Sequence, residues 1–582
     1  MSGRSFAGAI AAVLLSSCTG AGAPDSASAD VASGSAERCA ALGERPPAGW
    51  PAAGARVASA TWRDAGPAPA APGPPGAAAA PAVLPAHCEI AGIMEERKGI
   101  DGQDYAIRFH LRLPDQWNGR FFMQGGGGTN GDVGDAIGQL QGGAQPALAQ
   151  GYAVLSQDSG HDNALNSVPG RGGQTAFGFD PLARANYGGA SLEKTALAAK
   201  AALRSYYGAP PRYSYFVGCS KGGQEGMALA QRYPELFDGI VAGAPGFSLP
   251  RAAIGETWNT QAFASVPQAE GKPVTIASLA ASFSVSDFAL VRSAVLEGCD
   301  ADDGAADGIV GNFRQCTSAK VLPRLKARQC SGAKADGCLS APQIGALEKV
   351  HQGPRDSSGK QIYPGFAWDA GWSDMGWRIW TLGTPDGGVP ALNVAMGAPA
   401  LATVFSSPAS APGAGLDDYL HYQLSYDFDR GAAAVTGTGG PFQRSAWADI
   451  SARSDNLDAF RKRGGRMIVP QGVSDPVFSI NDTLAWWDEV NARYSGRAAD
   501  FTRVFPVPGM GHCQGGPATD RFDAFGALVH WVERAAAPDA IAATANPMSP
   551  WPGRARKLCP YPKVLRKTGD EKDGDAGFAC VG

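Results

Sequence analysis

A serine hydroxyl is a poor nucleophile at neutral pH and reacts only when a neighbouring base takes its proton. Gly218-Cys219-Ser220-Lys221-Gly222 presents one serine in the G-x-S-x-G spacing. A strand that turns this sharply into a helix leaves no room for larger side chains beside the serine, and the turn throws the hydroxyl outward. Glycine-rich turns around a serine are common, so the motif needs an acid and a base before it means chemistry. Asp475 stands in Gly472-Val473-Ser474-Asp475-Pro476, and His512 in Gly509-Met510-Gly511-His512-Cys513. Serine, acid, histidine is an order in which such triads run. The other histidines fit less well. His110 falls in a strand pattern and His530 in a helical one, while His87 and His351 lack a catalytic context. His161, in Ser159-Gly160-His161, could line the site but precedes the serine. In the triad, neutral His512 takes the Ser220 proton, and Asp475 orients the imidazole and stabilises its charged form. Backbone N–H groups of Lys221 and of Gly128, the last of the run Gly125–Gly128, are the expected oxyanion donors.

These residues need strand ends to hold them. Tyr105–Leu113 alternates polar and apolar residues as a half-buried strand does. Arg120–Gln124, Tyr152–Ser156, Tyr213–Gly218, Gly239–Gly243, Arg466–Gly472 and Arg503–Val507 are further strands, with helices over Leu192–Tyr206 and Gln224–Tyr233. Strands alternating with helices predict an α/β fold with a largely parallel sheet, and with the serine motif an α/β-hydrolase fold. Asp475 and His512 then follow strands, where loops carry catalytic groups. The alternation fades over residues 248–452, which read as a large inserted lid dividing a catalytic domain into 39–247 and 453–582. Residues 65–83 read as an exposed Ala/Pro/Gly loop, and no internal repeat is present.

A chain of 582 residues is too long for one ordinary core, so two large units are expected. The net charge of −4, with both signs mixed along the chain, argues against a nucleic-acid partner, which would require a clustered basic face. Arg4 followed by the short apolar run Ala7–Leu15 reads as an export signal too short to span a membrane. It ends in Leu15-Ser16-Ser17-Cys18, which resembles a bacterial lipoprotein cleavage box, so that residues 1–18 are the signal and 19–38 a tether. Cleavage after Ala21 or Ala23 is the alternative. Membrane attachment is expected only through a lipidated Cys18, giving a periplasmic or outer-membrane lipoprotein or a secreted protein.

Setting Cys18 aside leaves ten of the 11 cysteines, an even number in an exported chain, which allows five disulfides. Sequence alone does not give the pairing. Short spacing suggests Cys299 with Cys316, Cys330 with Cys338, and Cys559 with Cys580. Cys219 precedes the candidate nucleophile and Cys513 follows the candidate base, so these two must lie close if the triad forms. Cys39 and Cys88 remain.

Cys-Ser, Asp and His-Cys in this order resemble the tannase and feruloyl esterase family. Gly218-Cys-Ser-Lys-Gly-Gly-Gln-Glu-Gly226, Val241-Ala-Gly-Ala-Pro-Gly246 and Pro508-Gly-Met-Gly-His-Cys513 resemble that family's blocks, and the similarity runs from Cys39 to Cys580. The resemblance implies a hydrolase domain with a lid, the five disulfides above and a structural Ca²⁺, with no organic cofactor. It assigns the ion to side chains of Asp300, Asp303 and Asp307 and to carbonyls of Ala305 and Ile309. An acidic Gly-bearing loop suits such an oxygen-loving ion, with Asp302 as a possible competitor. It also places Trp380 and Phe405 near the substrate, in a lid that also holds Trp368, Trp372 and Trp377.

The expected activity is hydrolysis of esters of aromatic acids through an acyl-serine. The same triad serves amidases and peptidases, and a binding lipoprotein could keep the fold without catalysis. Some relatives meet a substrate carboxylate with a lid arginine. The matching stretch here, Gly387–Phe405, holds no Arg or Lys, and the position falls near Leu392. Neutral esters are therefore expected to outrank a terephthalate monoester unless Arg378 supplies the charge.

Overall fold

The computed structural model describes residues 32–44, 47–50, 54–69, 82–569 and 577–582. Cys18 and most of the expected tether lie outside them. The described chain is already structured before residue 39: Ala32–Ser33 pairs with Gln116–Trp117, and a helix starts at Ala36.

Apolar runs with few polar breaks make strands that can be buried on both faces and paired in parallel. The main sheet joins nine strands, β1 (Arg56–Arg63), β2 (His87–Lys98), β3 (Asp104–Pro114), β4 (Arg120–Gln124), β5 (Ala153–Gln157), β6 (Tyr213–Cys219), β7 (Gly239–Gly243), β8 (Arg466–Gly472) and β9 (Thr502–Val507). Their order across the sheet is β9-β8-β7-β6-β4-β5-β3-β2-β1. From β9 to β5 every pairing is parallel. Beyond β5 the sheet continues as an antiparallel meander. Helix α1 (Ser191–Tyr207) connects β5 to β6, and α2 (Lys221–Arg232) connects β6 to β7.

Two strands, β1 and β2, are absent from the sequence-based expectation. β2 alternates buried and half-buried residues over most of its length, but Gly92 and Glu95-Glu96 obscure the pattern in the sequence. The expected loop over 65–83 contains a short pairing at its described ends, Gly66–Pro67 with Val83–Leu84. Helix α2 begins at Lys221, three residues before the expected Gln224, because the elbow passes directly into it.

The insertion is helical where irregular structure was expected. It opens with α3 (Leu249–Ala269), a 21-residue helix buried around most of its circumference. A helix with apolar residues on every side has no stripe for a periodicity search to find. The insertion leaves and rejoins the sheet at one point, where Ala452 N–H donates to Phe247 O at 2.9 Å. Ala32–Gly582 form one compact unit, so the lid packs onto the domain that carries the sheet instead of forming a separate body. Arg184, wholly buried, fastens the two. Its guanidinium pairs with Asp449 at 2.9 Å, donates to Arg444 O and Ser407 Oγ, and lies 4.0 Å from the Phe442 ring centre.

Candidate active site

Strand β6 ends at Cys219, and Ser220 turns the chain into α2 with φ 65° and ψ −120°. A non-glycine residue held there costs on the order of 1–3 kcal/mol and persists only where its surroundings enforce it. They do. Ser220 N–H donates to Gly243 O of β7, and Ser220 O accepts from Gly246 N–H. The glycines around it admit no substitution without movement. A Cβ on Gly218 would lie 2.6 Å from Gly222 C, and one on Gly222 would lie 2.7 Å from Gly126 O. The elbow and the glycine loop after β4 therefore touch backbone to backbone.

The structure brings the three candidate catalytic residues together. Ser220 Oγ lies 2.8 Å from His512 Nε2, and His512 Nδ1 lies 2.9 Å from Asp475 Oδ2. With Nδ1 protonated, the ring donates to Asp475 and accepts from Ser220. Asp475 is buried, and its Oδ1 also accepts from the N–H groups of Val477 and Phe478 at 2.9 and 3.1 Å. Two charge-assisted bonds of that kind hold the carboxylate in place. Ser220, Asp475 and His512 follow β6, β8 and β9, and the glycine loop follows β4, so all four come from the C-terminal edge of the parallel strands. Cys219 and Cys513 are disulfide-bonded across 294 residues of sequence, with Cα atoms 6.1 Å apart. The other bonded pairs are Cys39–Cys88, Cys299–Cys316, Cys330–Cys338 and Cys559–Cys580.

Gly128 and Lys221 border the same cavity as Ser220, and among the described residues neither N–H is spent on another group. Glu225, one turn into α2, ties the two donors' segments together. It accepts from Gly126 N–H at 2.9 Å and Asn130 Nδ2 at 2.7 Å, and it pairs with Lys221 Nζ at 3.1 Å. The Lys221 ammonium is buried, which lowers its pKa, and it sits 4.5 Å from the Tyr187 ring centre. Backbone donors fixed in this way need not reorganise when charge develops on a substrate oxygen. His161 lies close by, but its buried ring stacks on Phe177 at 3.7 Å, and burial pushes its pKa down to about 3. It is a packing residue.

Sequence reasoning missed Asp369. This buried lid residue accepts from Ser474 Oγ at 2.7 Å and from Gly509 N–H at 2.6 Å. It thereby ties the loop of the acid to the loop of the base. Gly371 makes the approach possible, since a Cβ there would lie 2.4 Å from Gly509 O. Ser479 Oγ donates to Gly365 O at 2.6 Å, a second fastening of the same lid segment. The Asp369-Ala370-Gly371 sequence carries no motif, and its role depends on contacts more than 100 residues away.

A cavity opens at Ser220. Trp380 and Phe405 line it, with Met396, Ala400, Leu249 and Phe478 completing apolar walls. The Trp380 and Phe478 rings both meet the His512 ring edge to face, at 5.5 and 5.4 Å between centres. Trp368, Trp372 and Trp377 are fully buried lid core. Arg378 does not face the cavity. It is buried and donates to the carbonyls of Phe283 and Ala280 at 2.7 and 2.6 Å. Leu392 is half-buried and does not line the cavity wall, which Met396 and Gly397 form instead. Lys221 is the one cationic residue of the wall among the described residues, and Glu225 holds its ammonium.

The acidic loop after Cys299 folds around its own backbone. Asp300 accepts from Gly308 N–H at 3.0 Å, and Asp303 accepts from Ala305 and Gly311 N–H at 3.0 and 2.9 Å. Burial first, and then the charge of Asp307, raise the pKa of both carboxyls, that of Asp303 to about 7. Asp307 pairs with Arg556 at 2.5 Å. Asp302 pairs with Lys320 at 2.7 Å, which removes it as a competing ligand. Among the described residues no three His, Cys, Asp or Glu side chains gather closely enough to hold an ion unaided. An ion here would need the Ala305 and Ile309 carbonyls as well.

A family model described as tannase and feruloyl esterase matches residues 88–580. Mono(2-hydroxyethyl) terephthalate hydrolase of Piscinibacter sakaiensis is 42% identical over 91% of this chain and 89% of its own. A probable feruloyl esterase of Arthroderma benhamiae is 28% identical over 81% of each chain. The crystal structure of feruloyl esterase B from Aspergillus oryzae superposes with a TM-score of 0.72 at 22% identity, covering 94% of this chain and all of that one.

Ser220→Ala and His512→Ala should each lower kcat by about 10⁴–10⁶-fold, because triad members act as a unit. Steady-state kinetics with unchanged melting curves would check this, and near-normal turnover in either would refute the assignment. Replacing Cys219 and Cys513 together with Ser should lower kcat more than replacing Cys559 and Cys580, because it frees the nucleophile and base loops. Recovery of Cys219 or Cys513 as a free thiol in a non-reducing peptide map would contradict the pairing.

Proposed function

The chain belongs to the tannase and feruloyl esterase family, and from that premise we propose that it cleaves uncharged esters of aromatic acids. It is a carboxylic ester hydrolase with the α/β fold, and among its described residues it carries five disulfides, as an extracellular protein does. The observation that supports the substrate class is the cavity at Ser220. Its walls are apolar and aromatic, and they offer no unpaired cation among the described residues.

The reaction follows from the geometry. Ser220 Oγ attacks the ester carbonyl carbon while His512 Nε2 takes its proton. The carbonyl oxygen becomes an oxyanion facing the N–H groups of Gly128 and Lys221. The intermediate collapses, the C–O bond to the alcohol breaks, and His512 returns the proton to the departing alkoxide. Water, deprotonated by His512, then attacks the acyl-serine and releases the acid. Asp475 holds the imidazole through both halves.

A terephthalate monoester is the second reading, favoured by the 42% identity to the Piscinibacter sakaiensis hydrolase. It would bring a carboxylate into walls that offer it no free cation, and a buried charge without a cationic partner is costly. Membrane attachment, if it occurs, is assigned to a lipidated Cys18. A structural calcium ion is assigned to Asp300, Asp303 and Asp307 with the Ala305 and Ile309 carbonyls, where a cation would offset the burial and the neighbouring Asp307 charge that raise the pKa of Asp300 and Asp303.

Methyl ferulate or gallate should be turned over with a higher kcat/KM than mono(2-hydroxyethyl) terephthalate, and its neutral benzoate analogue should also exceed the monoester. Matched aryl amides should be slower still. Leu392→Arg should raise kcat/KM for the monoester selectively. A clear wild-type preference for the charged monoester would overturn the neutral-substrate reading, and equal rates on amides would overturn the ester reading. EDTA should lower the melting temperature and added Ca²⁺ restore it, because an ion bound only by the native state stabilises it. An unchanged melting temperature after EDTA treatment of a verified calcium-loaded sample would contradict a structural ion in this loop and leave it a solvated acidic turn.

A further inference from the structure

Buried carboxyl groups in this protein generally have partners. Asp475 has His512 and two backbone N–H groups, Asp369 has Ser474 and Gly509, and Glu225 has Lys221, Asn130 and Gly126. Glu256 is different. It lies on α3, is 6% exposed, and borders the same cavity as Ser220. None of the hydrogen bonds or ion pairs among the described residues involves its side chain, although its own carbonyl accepts from Thr260 Oγ1.

The carboxyl is held in place by shape. It lies against the backbone of Gly397 on the facing lid segment, where a Cβ would come within 2.1 Å of Glu256 Oε2. Only glycine lets the acid occupy this position. The Gln423 amide behind Gly397 is committed elsewhere, donating to Asn393 O at 2.8 Å and Thr257 Oγ1 at 3.4 Å. Around Glu256 the cavity presents Leu249, Trp380, Met396 and Phe405. Apart from the reacting atoms and the oxyanion donors, Glu256 is the one carboxyl in the wall of this largely apolar space, which also holds the Thr129 and Tyr187 hydroxyls and the Trp380 indole N–H.

Burial and the nearby charge of Asp475 push the Glu256 pKa up to about 8, which keeps the group neutral at physiological pH. A neutral carboxyl both donates and accepts a hydrogen bond. Its complement is a neutral hydroxyl on an otherwise apolar ligand. A buried polar group left without a partner penalises any ligand that cannot satisfy it, and this is how a site rejects an analogue lacking one hydroxyl.

We propose that Glu256 is a specificity-determining residue that hydrogen-bonds a hydroxyl on the ring of the substrate's acyl group, so that the favoured substrates are esters of hydroxy-aromatic acids. This rests on the aromatic-ester reading above and adds the residue that selects among such esters.

The test compares methyl 2-, 3- and 4-hydroxybenzoate with methyl benzoate and with the corresponding methyl ethers. The wild-type enzyme should favour at least one hydroxy ester over both its unsubstituted and its methoxy counterpart by about 10–100-fold in kcat/KM, the effect of one well-placed buried hydrogen bond. Glu256→Met, of similar length but apolar, should bring that ratio to near one, and Glu256→Gln should restore part of it. Removing an unpartnered carboxyl from the interior should also leave the melting temperature equal or higher, which separates loss of selectivity from loss of fold. Binding of the same esters to Ser220→Ala, measured by calorimetry, should show the same preference and the same loss on adding Glu256→Met. Equal treatment of hydroxy and methoxy esters by the wild type, or a preference that survives in Glu256→Met, would overturn the assignment. Failure to hydrolyse any ester, with preferential binding still present, would instead overturn the proposed function and leave the role of Glu256 standing.

Discussion

The contact on which the active site depends is between backbones. The loop after β4 and the elbow after β6 meet where Gly125, Gly218 and Gly222 pack, and a Cβ on Gly125 would come within 2.9 Å of both other Cα atoms. This closeness sets Ser220 and Gly128 on the wall of one cavity and lets Glu225 reach Gly126, Asn130 and Lys221 at once. It also tolerates the strained Ser220 backbone, because β7 and the loop after it hold the turn through both the Ser220 N–H and the Ser220 carbonyl. Larger side chains at these glycines would separate the nucleophile from the proposed oxyanion donors before they altered any chemical group.

The base and acid are positioned by a second set of constraints, supplied largely by the lid. Asp369 binds both the Ser474 loop and the Gly509 loop, while the Cys219–Cys513 bridge ties the base loop to the nucleophile. A cross-link over so long a loop contributes typically about 2–4 kcal/mol, so the bridge has weight for stability as well as geometry. The lid is therefore part of the catalytic framework as well as the wall of the cavity. Its return to the sheet at Phe247 and Ala452 explains how some 200 residues can be inserted without separating β7 from β8.

What could be read in the sequence was local or ordered along the chain. The central parallel strands are short apolar runs, and the serine, acid and histidine each follow one of them, so strand ends and motif order sufficed to find the three residues. The cysteines flanking Ser220 and His512 were informative for the same reason. The antiparallel strands β1 and β2, the helical lid and Asp369 were not legible. β1 stands between Ala/Pro-rich stretches, α3 has no polar face to reveal its period, and Asp369 is defined by partners distant in sequence. Glu256 was missed because its meaning lies in what does not touch it, which no pattern of residues records. Arg378 and Leu392 show the converse limit. Proximity in sequence to the lid aromatics did not place either side chain in the cavity wall.

The central claim is that Ser220 is a nucleophile activated by His512. An aryl dialkyl phosphate such as diethyl 4-nitrophenyl phosphate tests it without assuming the natural substrate, because the activated oxygen displaces the nitrophenolate and keeps the diethyl phosphoryl group. Intact and peptide mass spectrometry should find one phosphoryl group, on Ser220, formed with loss of esterase activity and formed far more slowly in His512→Ala. A folded protein that remains unlabelled, or that is labelled at another residue, would contradict the account.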